Sequence, residues 1–136
     1  MTLVKTSTLT AASLVVILAL GYFITKVLVK PVSTDLSAIG QGKPTLVLAY
    51  ENFSPNGGEA LDRIRQVRAE YESRLHFVVA DLGTPQGRAF ANRFGMVDGQ
   101  AVFLKPDGQP LQVIRIPADG RELRTRLDRK LAAVEP

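Results

Sequence analysis

The sequence predicts an α/β protein: a mixed four-stranded sheet with helices on both faces, in the order β-α-β-α-β-β-α, preceded by one N-terminal transmembrane helix. Three observations predict it. Short apolar runs of strand length alternate with stretches whose apolar residues recur every three or four positions. The last two runs are joined by a tight turn instead of a helix. The first 30 residues differ in composition from everything that follows, and most of them are apolar.

The first element is the stretch from Leu9 to Val29. It is apolar on every side and carries a single charge, Lys26, near its end, where a long side chain can reach the interface. A cleaved leader has a shorter apolar core followed by small residues. Here apolar character continues through Tyr22, Phe23 and Ile24 to Val29, so residues 1–30 are expected to be a retained single-pass anchor. Lys5 on one side and Lys26 and Lys30 on the other leave the orientation undecided by charge. Pro31, Gly40, Gly42 and Pro44 oppose regular structure, so residues 31–43 are expected to be a linker and residues 44–136 a folded domain.

In the domain, Thr45 to Tyr50 is a compact apolar strand, followed by a turn cluster from Asn52 to Gly58. From Glu59 to Arg74 the apolar residues Leu61, Ile64, Val67 and Tyr71 fall on one side of an amphipathic helix. Leu75 to Asp81 is a second strand. Thr84 and Pro85 then offer a cap and a first helical residue for a short helix to Phe94, which stops at Gly95. Ala101 to Leu104 and Leu111 to Ile116 flank a turn with Asp107-Gly108, a strong hairpin signal. Asp119 and Glu122 have the spacing of a capping box, and Leu123, Leu127 and Leu131 give the last helix its apolar stripe. Right-handed crossovers in the first half and a hairpin in the second make the sheet mixed.

Composition excludes several functions. The 136 residues contain no cysteine, which removes disulfides, zinc–thiolate sites, cysteine nucleophiles and dithiol chemistry. The one histidine, His76, argues against a multi-histidine metal site, and no metal or cofactor is expected. Of the 17 basic residues, Lys5, Lys26 and Lys30 belong to the N-terminal segment, leaving 14 against 13 acidic residues. The domain is thus nearly neutral, with no basic stripe interleaved with aromatics, and nucleic acid is not an expected partner.

The order of elements and several local motifs resemble the thioredoxin-like family over residues 43 to 133. Where thioredoxins carry a Trp-Cys-Gly-Pro-Cys turn after a buried strand, this chain has Asn52, Phe53, Ser54, Pro55 and Asn56. The proline is kept, and Phe53 and Asn56 stand in place of the two cysteines. Asp81 at a strand end, Phe94-Gly95-Met96-Val97 before the third strand, and the turn from Lys105 to Gly108 also resemble family features. The family's cis-proline falls on Gln100, where a non-proline cis bond would cost about 3 kcal/mol. Both halves of the redox site are therefore missing, and the resemblance implies a redox-inactive member. By analogy with degenerate domains of disulfide isomerases, it implies polypeptide binding. Anchored members with this layout in bacteria face the periplasm, so the resemblance also implies a bacterial inner-membrane protein with a periplasmic domain.

The candidate partner groove comprises Phe53, Ser54, Pro55, Asn56, Gly99 and Gln100. Phe53 at the loop tip either projects as a contact anchor or folds inward to cap the core. Ser54, Asn56 and His76 with Asp81 contain the residue types of a hydrolytic site, but Ser54 lacks the Gly-x-Ser-x-Gly elbow and His76 lies among core-like strand residues. Gly57-Gly58 could present backbone N–H groups to an anion. The basic residues of the last helix could meet lipid head groups, although Asp119, Glu122 and Asp128 are interspersed to neutralise them. The expected function is non-catalytic: a tethered domain that binds a protein partner as an accessory, assembly or structural subunit of a membrane complex. An enzyme with a repurposed site around Ser54, Asn56 and His76 is the alternative.

Overall fold

The computed structural model describes residues 11–22 and 30–135. Residues 11–22 are helical, and Leu14, Val15, Val16, Ile17, Leu18 and Leu20 on this stretch are all more than half exposed. Among the described residues no helix is long and apolar enough to cross a membrane, and the rest of the expected anchor, residues 1–10 and 23–29, lies outside them.

The second compact unit runs from Val32 to Pro136. Its elements are β1 (Thr45–Tyr50), α1 (Pro55–Tyr71), β2 (His76–Asp81), α2 (Pro85–Arg93), β3 (Gln100–Leu104), β4 (Pro110–Arg115) and α3 (Gly120–Val134). The strands form one mixed sheet in the order β2-β1-β3-β4, with β1–β2 parallel and the other two pairs antiparallel. This is the expected α/β architecture. Strand alternation divides the core in two. Leu46, Leu48, Phe77, Val79 and Phe103 face α1 and α3, while Val47, Ala49, Val78, Val102 and Leu104 face α2. On α3, Leu123, Leu127 and Leu131 are fully buried, as their spacing predicts.

Local signals act largely as expected. Thr84 Oγ1 accepts from Gly87 N at 3.0 Å, and Pro85 opens α2. Asp107 Oδ1 accepts from Gln109 N at 3.0 Å in the β3–β4 turn, where Gly108 has φ +88°. The capping box is only half formed. Asp119 Oδ1 accepts from Arg121 N at 2.8 Å, but Glu122 turns to Arg126, at 2.5 Å, one turn along the helix.

Two expectations are corrected. The segment taken as a linker is, from Val32 on, part of the fold. Val32 is buried on the α1/α3 side, Ser33 bridges Val78 in parallel, and Val79 N donates to Ser33 O at 2.8 Å. Leu36, in a short 3-10 turn over Leu36–Ala38, and Ile39 then pack on the α2 side. The segment wraps the β2 edge, which would otherwise expose unpaired backbone groups. The second correction concerns α1, which begins at Pro55 and not near Glu59, so half of the expected turn cluster is helix. Pro55 suits the first helical position, and the cost of two early glycines is offset by a tertiary contact described next.

Candidate functional site

The loop between β1 and α1 is held by one carboxylate. Asp98, in the turn before β3, accepts from Glu51 N at 2.7 Å, from Ser54 Oγ at 2.5 Å and from Gly57 N at 2.8 Å. Its position at the first turn of α1 is favourable for an anion, because the helix N-terminus supplies unpaired N–H groups and a partial positive charge. A side chain at residue 57 would collide with it, since a Cβ there would lie 2.0 Å from Asp98 Oδ1. The backbone N–H expected at Gly57 for an external anion is thus taken by an internal one. Sequence reasoning missed Asp98, whose only signal was an acidic residue between the helix-stopping Gly95 and the groove residue Gly99.

With its neighbours fixed, Phe53 is forced outward. It is 95% exposed and has φ +66°, and it is the only non-glycine residue with positive φ among the described residues. An aromatic side chain rarely adopts this conformation, which costs about 1 kcal/mol or more. Phe53 thus projects and does not fold inward to cap the core. Val97, immediately before Asp98, is 59% exposed and adds a second apolar residue at this end of the sheet.

The other groove residues separate. Asn56 and Gly99 are in close contact: Gly99 has φ +84°, and a Cβ on it would sit 3.2 Å from Asn56 Cβ. Both line a cleft of about 310 Å³ whose walls include Glu59, Ala60, Arg63, Arg115, Ile116 and Arg126. Ser54 is half-buried against Asp98, Pro55 is exposed, and Gln100 accepts from Val97 N at 3.1 Å through Oε1 without lining the cleft. No peptide bond among the described residues is cis.

The structure does not assemble the alternative hydrolytic site. His76 pairs with Thr45 at the start of β1, whereas Ser54 lies beyond Tyr50 at its other end, a separation of about 15 Å or more along the strand. Burial, with help from Lys43, lowers the His76 pKa. Asp81 accepts from Gly83 N at 2.8 Å as a strand-end residue. No cluster of three potential metal ligands occurs among the described residues.

The chain matches no known family profile, and no curated protein sequence matches it. Solved structures do. A thioredoxin-like protein, Trxlp, from Edwardsiella tarda EIB202 aligns with TM-score 0.57 and 17% identity over 67% of this chain and 87% of that one. An uncharacterised thioredoxin-like protein from Clostridium perfringens gives 0.60 and 20% over 70% and 76%, and Fasciola hepatica thioredoxin gives 0.54 and 18% over 66% and 83%. At these identities the similarity is one of fold, which is thioredoxin-like.

Proposed function

We propose that this chain is a non-catalytic, thioredoxin-like binding domain, tethered by its N-terminal apolar segment, that holds a protein partner as an accessory subunit of a membrane complex. With no cysteine in the chain there is no thiolate for disulfide exchange. The observation that carries the reading is Phe53. An aromatic ring held in water by a strained, clamped backbone has no use in the isolated domain, and a rigid exposed aromatic is a typical interface anchor. The exposed apolar residues on the helical stretch 11–22, together with the apolar run to Val29, support the tether. Placement in a bacterial inner membrane with the domain in the periplasm rests on the resemblance alone.

The test is cross-linking in spheroplasts carrying the tagged full chain, with a membrane-impermeant amine reagent. A discrete cross-linked species is expected for wild type and a loss of at least tenfold for Phe53→Gly, since truncating an interface hot spot costs about 2 kcal/mol or more. Glycine accepts φ +66° without strain, so folding is preserved. Wild type that stays monomeric, before and after lysis, overturns the partner reading. A species formed only after lysis overturns the periplasmic placement.

A further inference from the structure

Beside the Phe53 loop, the cleft floored by Asn56 and Gly99 is lined by three arginines, Arg63, Arg115 and Arg126. Arg63 comes from α1, Arg115 from the end of β4 and Arg126 from α3, so three elements bring cations to one depression. Their compensation is incomplete. Arg126 is paired with Glu122, and Glu59 also lines the wall without an ion pair to either remaining guanidinium. Arg63 Nη1 donates to Gln66 at 3.2 Å, but its Nε is buried and lacks a hydrogen-bond partner, the polar state that costs most to leave unmet. A second depression of about 280 Å³ shares Arg126, includes its partner Glu122, and continues between β4 and α3 past Arg129 and Lys130, whose Nζ donates to Gln112. The basic lining is therefore a track.

We infer that this track binds an extended acidic segment of the protein partner, with successive carboxylates at Arg63/Arg115 and at Arg129. The inference rests on the partner-binding reading above and names the partner's chemistry. Three features select a carboxylate-bearing peptide. The guanidinium fork matches carboxylate geometry. Ala60, Ile116 and Pro117 in the same lining add apolar surface that suits the methylenes of Glu or Asp side chains better than a bare phosphate. Two depressions that share Arg126 fit repeated charges along a chain.

The experiment titrates fluorescein-labelled hexaglutamate against the full chain in non-ionic detergent and reads fluorescence anisotropy at low salt. Binding is expected for hexaglutamate and not for hexalysine, to be weakened at least tenfold by Arg115→Glu and severalfold by Arg63→Gln, and to be unchanged by Lys105→Glu at the opposite end of β3. Arg115 is exposed, so its substitution tests charge without disturbing the core. Equal weakening by Lys105→Glu would mean diffuse attraction and overturn the site. Displacement by inorganic phosphate at matched concentration, or by phosphatidylglycerol vesicles, would overturn the peptide assignment in favour of a simple anion or a lipid surface. Failure of hexaglutamate with a persisting Phe53-dependent cross-link removes only the charge assignment. Loss of that cross-link in wild type removes the partner reading itself.

Discussion

The two faces of the sheet are closed by different means. On one side, α1 and α3 and the sheet close a cluster of 18 buried residues among those described, and the helices are locked together by side chains: Tyr71 Oη donates to Asp128 at 2.9 Å and to Arg124 O at 3.2 Å, and Arg124 grips Glu70 with a two-nitrogen fork at 2.8–3.0 Å. On the other side, the cluster that the short α2 closes has eight buried residues among those described, and further cover comes from the segment from Leu36 to Ile39, held by backbone bonds such as Gly42 N to Pro106 O at 3.1 Å. A wide face can recruit two long helices whose side chains meet. A narrow one is finished by whatever chain runs past its edge.

This contrast can be broken at three points. The largest effect is expected on the wide face: Leu127→Ala, a fully buried side chain, should cost about 3–5 kcal/mol in urea unfolding followed by circular dichroism. A loss below 1 kcal/mol would mean that this face is not the main core. Ile39→Ala on the narrow face should cost less, about 1–2 kcal/mol, because Ile39 is only partly buried. No measurable loss there would return the segment to the status of a tether. The smallest effect is alkaline. Burial, reinforced by Asp128, raises the Tyr71 phenol to about 12. Its folded pKa exceeds the unfolded value near 10, so its contribution is full below pH 10 and declines as pH rises towards 12. The loss is fractions of a kcal/mol at pH 10 and about 1 kcal/mol at pH 11. Tyr71→Phe should flatten this part of the stability–pH curve, and an unchanged slope would show that the lock between α1 and α3 is not what titrates.

Sequence reading succeeds where side-chain pattern decides structure. Strand alternation, the Leu123-Leu127-Leu131 stripe, the Thr84 cap and the Asp107-Gly108 turn each act through the side chains that announce them. It fails where backbone or distant groups decide. The contribution of Ser33 to the β2 edge is made by its main chain, which composition does not encode. The early start of α1 depends on Asp98, more than 40 positions away, to fix a first turn whose two glycines local propensity reads as loop. The same long-range contact decides that Phe53 points out, a choice the sequence left open between two outcomes. The arginine cleft was invisible for the same reason, since Arg63, Arg115 and Arg126 come from three elements and converge only in the fold.

Asp98 also works against thiol chemistry at this turn, even with cysteines introduced. A reactive cysteine in such a turn needs its thiolate favoured by the positive end of the following helix. Here that end is already occupied by a carboxylate at 2.8 Å from Gly57 N. Cysteines placed at positions 53 and 56 would face a neighbouring negative charge, which raises a thiol's pKa and keeps it protonated. Cysteines could be introduced here without becoming reactive.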